Sequence, residues 1–102
     1  MVTPTERTLD TVPPNVLVIR GEVDLANYDE VNRLLHEHLD VADGDLRIDL
    51  SEVTFFSAAG VRALLEASDV ARRFGVTLRI DPLSRSAAMV LLATGAWDRL
   101  CR

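Results

Sequence analysis

Residues 46–68 change periodicity partway, and that change limits what the chain can fold into. Over residues 46–50 apolar and polar side chains alternate, as in a strand with one buried face. From Val61 the pattern becomes helical: Val61, Leu64, Leu65, Ser68 and Ala71 recur on one face. Residues 51–57 lie between them and are read as a loop carrying the aromatic pair Phe55-Phe56. A strand leading through a loop into a helix brings unpaired backbone N–H groups to one exposed edge. That edge is the expected working surface.

The rest of the chain repeats this grammar. Residues 7–12 are a weak strand candidate, followed by a Pro13-Pro14-Asn15 turn. Val16 to Ile19 is a short apolar run of the kind found in a buried strand, and Gly21-Glu22-Val23-Asp24 extends or ends it. Ala26, Val31, Leu34, Leu35 and Leu39 predict a helix ending near Val41, capped by an Asn27/Glu30 box or by Asp24. The second helix runs to about Phe74, with Gly75 as its stop. Residues 76–80 alternate as a strand that Asp81-Pro82 breaks. Ser84 or Ser86 caps a third helix that stops at Gly95, and the tail from Trp97 forms a strand or a helical turn. The order β-β-α-β-α-β-α predicts one α/β domain over residues 1–102, a small mixed sheet with helices packed on one side.

Composition narrows the function. The net charge of −5 argues against a nucleic-acid partner. The charge is uneven: residues 1–54 carry −8 and residues 55–102 carry +3, so an acidic first half could steer a basic partner. The single cysteine, Cys101, excludes an intramolecular disulfide and fits a reducing compartment. There is neither a signal-peptide pattern nor a membrane-length apolar run, so a cytoplasmic protein without membrane contact is expected.

The candidate chemistry is sparse. His36 and His38 are two apart on the first helix and do not share a face, so no metal site is expected. Glu22, Asp24 and Asp49 lie near strand ends, but no nucleophile–base pair or phosphate loop accompanies them. No cofactor and no enzymatic activity are expected. Ser57 is placed to cap the second helix. Gly60 in its first turn costs up to about 1 kcal/mol relative to alanine, which calls for a close contact with the loop or a partner. Phe55 and Phe56 face opposite ways if the chain is extended there, one into the core and the other free to anchor a partner.

These residues carry a resemblance. Asp49-Leu50-Ser51-Glu52-Val53-Thr54-Phe55-Phe56-Ser57-Ala58-Ala59-Gly60-Val61 resembles the signature of STAS domains, the family of bacterial anti-sigma factor antagonists and of the cytoplasmic domains of sulfate transporters. Gly21-Glu22-Val23-Asp24 resembles its second motif, and Thr94-Gly95 matches a third landmark. The resemblance implies a protein that binds an anti-sigma factor, often a serine-protein kinase, and so regulates sigma-factor-dependent transcription. The implied contact residues are Glu22, Asp24, Phe56, Ser57, Ala58, Ala59 and Gly60, on a monomer or weak dimer. Ala58 stands where phospho-regulated members carry Ser or Thr. Three readings stay open: an antagonist that phosphate cannot switch off, a displaced acceptor at Ser57, or a different partner. The alternative function is a structural scaffold or small-ligand sensor module in another signalling assembly.

Overall fold

Leu46, Ile48 and Leu50 have no measurable solvent exposure, and the molecule is laid out around them. The computed structural model describes residues 15–101. Leu46, Ile48 and Leu50 sit in the central strand of a three-stranded parallel sheet of order β1-β2-β3, formed by β1 (Val16–Val23), β2 (Asp45–Phe56) and β3 (Thr77–Leu83). The strand expected over residues 7–12 lies outside the described residues, so the described strands are parallel throughout.

Four helices follow the strands: α1 (Tyr28–Val41), α2 (Ala58–Arg73), α3 (Arg85–Ala93) and the short α4 (Trp97–Leu100). A 3₁₀ turn, Leu25–Asn27, leads into α1. The strands are laid down in order without reversal. With right-handed crossovers, successive β-α-β units moving the same way across the sheet place α1 and α2 on one face. The burial pattern agrees: Leu17, Ile19, Leu46, Ile48, Leu50 and Ile80 join the helices' buried side chains in one core, while Arg47 and Asp49 remain half-exposed. α1 contributes Val31, Leu35 and Leu39 at four-residue spacing. α2 contributes Val61 and Leu64 along with Ala63, Ala67 and Ala71, a small-residue stripe that lets its backbone sit close to what it covers.

The structure departs from expectation in two places. Residues 51–56 are strand, not loop. The pairing of β1 with β2 slips between Val18/Arg20 and again between Gly21/Glu22, so β2 carries an extra residue at each slip. Its buried positions therefore change from every second residue to every third, at Leu50, Val53 and Phe56, and that hides the strand from a period-two reading. At the first slip the Asp49 carboxylate accepts hydrogen bonds from the Ser51 backbone N–H (2.8 Å) and hydroxyl (2.7 Å), pinning the kink.

The second departure is β3, which continues through Asp81-Pro82 to Leu83. Among the described residues it is an edge strand, where a missing N–H is tolerated, and its own register shift falls there. At the cap of the first helical segment the structure decides between the two expected arrangements. The Asn27/Glu30 box does not form. Instead Asp24 and Asn27 cap each other around the 3₁₀ turn, Asn27 N–H to Asp24 Oδ1 at 3.2 Å and Asp24 N–H to Asn27 Oδ1 at 2.9 Å.

Other boundaries fall as expected. Gly75 has φ +72, with bonds from Gly75 N–H to the Arg72 carbonyl and from Val76 N–H to that of Ala71 closing a Schellman stop. Ser84 caps α3. α3 takes over where β3 ends: Ser84 N–H bonds the Leu50 carbonyl and the Ser86 hydroxyl bonds that of Thr54, so the helix packs beside the second half of β2.

Candidate functional site

The parallel strands point their C-terminal ends at one rim, and the sequence motifs meet there. After β1, Asn27 ties down the turn by donating its side-chain amide to the Glu22 carbonyl at 2.9 Å while exchanging caps with Asp24. After β2, Ser57 N–H donates to the Val23 carbonyl at 3.0 Å, which locks the start of α2 to the end of β1. Ser57 Oγ accepts from Ala59 N–H at 3.2 Å, the expected N-cap.

Between these two anchors lies an open groove of about 550 Å³. Asp24, Leu25 and Tyr28 line it from the β1 side; Phe55, Ser57, Ala58, Ala59 and Arg62 line it from the β2–α2 side. Leu25 is 80% exposed and Phe55 51% exposed, while Ala58 presents only a methyl group to solvent. Arg62 is held back: it lies 5.6 Å from the Tyr28 ring centre and pairs with Glu66 at 3.5 Å. Tyr28 donates its hydroxyl to Glu66. That hydrogen bond, then desolvation and the Glu66 charge, push the phenol above its ordinary pKa, so it remains a neutral donor.

The groove unites Asp24, Ser57, Ala58 and Ala59. It does not include Phe56 or Gly60, both expected at the surface and both buried. A Cβ on Gly60 would stand 2.6 Å from the Phe56 ring, so this glycine makes room for a core aromatic of its own chain, not for a partner. Phe55 is the exposed member of the pair. Burial steps by three from Leu50 through Val53 to Phe56, so the simple alternation of a regular strand does not say which of the pair is buried. Leu25, Tyr28 and Arg62 carried no motif and come into view only once β1 and β2 are in register. Glu22 is exposed on the same turn but does not line the groove. Neither histidine reaches it: His36 and His38 each place Nδ1 against the carbonyl four residues earlier on α1, at 2.8 and 2.9 Å. Among the described residues no group of three or more His, Cys, Asp or Glu is placed to hold a metal ion, and no helix is long and apolar enough to cross a membrane.

Comparison with known proteins agrees with this layout. The sequence model of a family described as "Mlab, STAS domain" matches residues 10–101. No curated protein matches the sequence. Among solved structures, the anti-sigma factor antagonist SpoIIAA in its unphosphorylated form is similar at TM-score 0.69 and 15% identity, over 93% of this chain and 81% of that one. An anti-sigma factor antagonist from Mycobacterium paratuberculosis is similar at TM-score 0.70 and 16% identity, over 98% and 81%. The STAS domain of a SulP transporter from Vibrio cholerae is similar at 0.60 and 18%, over 88% and 71%. At these identities the structures speak to the fold, and the match over residues 10–101 speaks to descent: the chain belongs to the STAS domain family.

Proposed function

We propose that this protein works by docking, as an antagonist-type STAS protein that binds an anti-sigma factor of the serine-kinase kind in the bacterial cytoplasm and so frees sigma-factor-dependent transcription. One observation carries the reading. A single groove joins the Asp24 turn to the first turn of α2 and displays two large apolar side chains, Leu25 and Phe55, beside the small Ala58 and Ala59. Apolar anchors ringed by small and polar groups are what a protein interface needs at its centre. Two structurally similar proteins are described as anti-sigma factor antagonists, in line with this reading.

Phosphate plays no part in it. Ala58 has no hydroxyl, and Ser57 Oγ already accepts from Ala59 N–H. A phosphate at the rim would add about −1.5 to −2 charges. The reading therefore makes docking constitutive, with Asp24 holding the turn and Ser57 the helix start while Leu25, Phe55, Ala58 and Ala59 meet the partner.

The test is calorimetric titration of the anti-sigma factor that co-purifies from the native host. Ala58→Glu should weaken binding more than tenfold, about 1.4 kcal/mol. Unchanged affinity overturns the docking surface. Incubation with that partner and ATP should leave Ser57 unmodified by mass spectrometry, and a phosphate found there overturns constitutive docking. A second reading, a scaffold or sensor module in another assembly, draws on the transporter STAS domain among the similar structures. Light scattering separates the two, since a scaffold forms a large assembly.

A further inference from the structure

The groove is not electrically uniform. Asp24 lines its β1 rim, and Arg62 lines the opposite rim as the one cation among the described residues there. Arg62 is four residues after Ala58, one turn along the same face of α2. Its guanidinium is loosely kept. Nε lies 3.5 Å from Glu66 Oε2, beyond ordinary hydrogen-bond length, and the side chain is 72% exposed. The pair runs from Arg to Glu along the helix, the weaker of the two orders at four-residue spacing. Glu66 is also shared, since Tyr28 donates its hydroxyl to Oε1. The remaining hold is the Tyr28 ring, 5.6 Å from the guanidinium carbon. Exposed contacts of this kind hold a side chain weakly. Among the described residues the guanidinium donates no hydrogen bond, so Arg62 brings unused donors to the groove.

What such a group recognises is a carboxylate. The guanidinium is a planar fork of N–H donors that matches two carboxylate oxygens. A partner seated on Leu25 and Phe55 displaces water from the groove, which strengthens any charge pair formed inside it. Arg62 left without an acceptor under that partner would cost affinity. The charge of the whole chain sharpens the choice. At net −5 it repels an acidic side chain at a distance, and Arg62 makes one spot in the groove where an acid is attracted. Arg62 therefore governs where the partner lands and which way round. Reversed docking would set the same acid against Asp24.

We infer that Arg62 is a specificity residue of the groove: it leaves Glu66 and receives an Asp or Glu side chain of the docked protein, beside the apolar contacts at Leu25 and Phe55. The inference rests on the docking reading and adds to it the charge of the residue that the partner must present.

Calorimetric titration of the co-purified anti-sigma factor tests it. Arg62→Gln should weaken binding about tenfold and Arg62→Glu about a hundredfold. The side chain is exposed, so circular dichroism and the urea midpoint should match those of the parent chain. Between about 50 and 500 mM salt the parent affinity should fall more steeply than that of Arg62→Gln. Glu66→Gln removes the competing carboxylate and should tighten binding about twofold, a gain that should vanish in Arg62→Gln/Glu66→Gln. Among single Asp→Arg and Glu→Arg changes on the partner's surface, one should restore binding to Arg62→Glu and none to Ala58→Glu. Full affinity in Arg62→Gln with Ala58→Glu impaired overturns this inference and leaves the docking reading standing. Full affinity in both variants overturns both. An Arg62→Gln loss that keeps the parent's salt dependence, with no partner reversal rescuing Arg62→Glu, is lost packing and also overturns it.

Discussion

The two halves of β2 share one strand but differ in what holds them. Residues 45–50 are paired on both edges, with β1 and with β3, and bury every second side chain. Residues 51–56 are paired with β1 alone, carry both register slips, bury every third side chain and have α3 beside their other edge. The first half builds the core. The second half bends to aim Phe55 into the groove and to hand the chain to α2. Regular pairing gives rigidity, and bulges give direction, which is why they gather next to sites. In this chain the stable region and the working region meet at Asp49-Leu50-Ser51.

Substitutions should separate these roles, and the largest effect belongs to the first half. Ile48→Ala removes a fully buried side chain and should cost about 2–5 kcal/mol in chemical denaturation. Gly60→Ala drives a methyl group into the Phe56 ring and should cost about 1–3 kcal/mol. Adding Phe56→Leu should relieve part of that loss, a coupling that a double-mutant cycle reads directly. Asp49→Ala unpins the first bulge. It should cost about 1 kcal/mol and speed amide exchange over residues 51–56 more than over 45–50. Phe55→Ala should leave stability within about 0.5 kcal/mol, because its ring is half in solvent, while weakening partner binding.

The smallest effect is a titration. Tyr28 ionises above 10.0 because it donates to Glu66, so its ultraviolet transition should fall toward the free-tyrosine value in Glu66→Gln. A phenol raised in the folded state favours folding below pH 10 and loses that contribution as the pH climbs through its folded value. No dependence on this group is therefore expected near neutrality.

How much of this was legible in the sequence follows the same division. Leu46, Ile48 and Leu50 declared a strand by alternation, and the α2 face, its Ser57 cap and its Gly75 stop were all local signals. The loop assigned to residues 51–57 failed because a bulge replaces period two with period three, which resembles no regular element. Gly60 calls for a close contact, either with the preceding loop or with a partner, and the first is what forms. The answer was Phe56, four residues earlier, and needed the strand to be recognised first. On the groove, Asp24, Ser57, Ala58 and Ala59 were marked by motif. Leu25 and Tyr28 were invisible because only the β1–β2 register places them opposite Phe55. That β3 lies at the edge of the described strands could not be read either, since strand order is a property of the sheet.

The claim at the centre is that the groove between the Asp24 turn and the start of α2 is where another protein lands. Amide exchange of the full chain, alone and with the anti-sigma factor it co-purifies with, addresses that most directly. Slowed exchange confined to residues 24–28 and 55–62 is the predicted footprint. Slowing elsewhere with the groove unchanged, on α3 or along β3, would contradict the account.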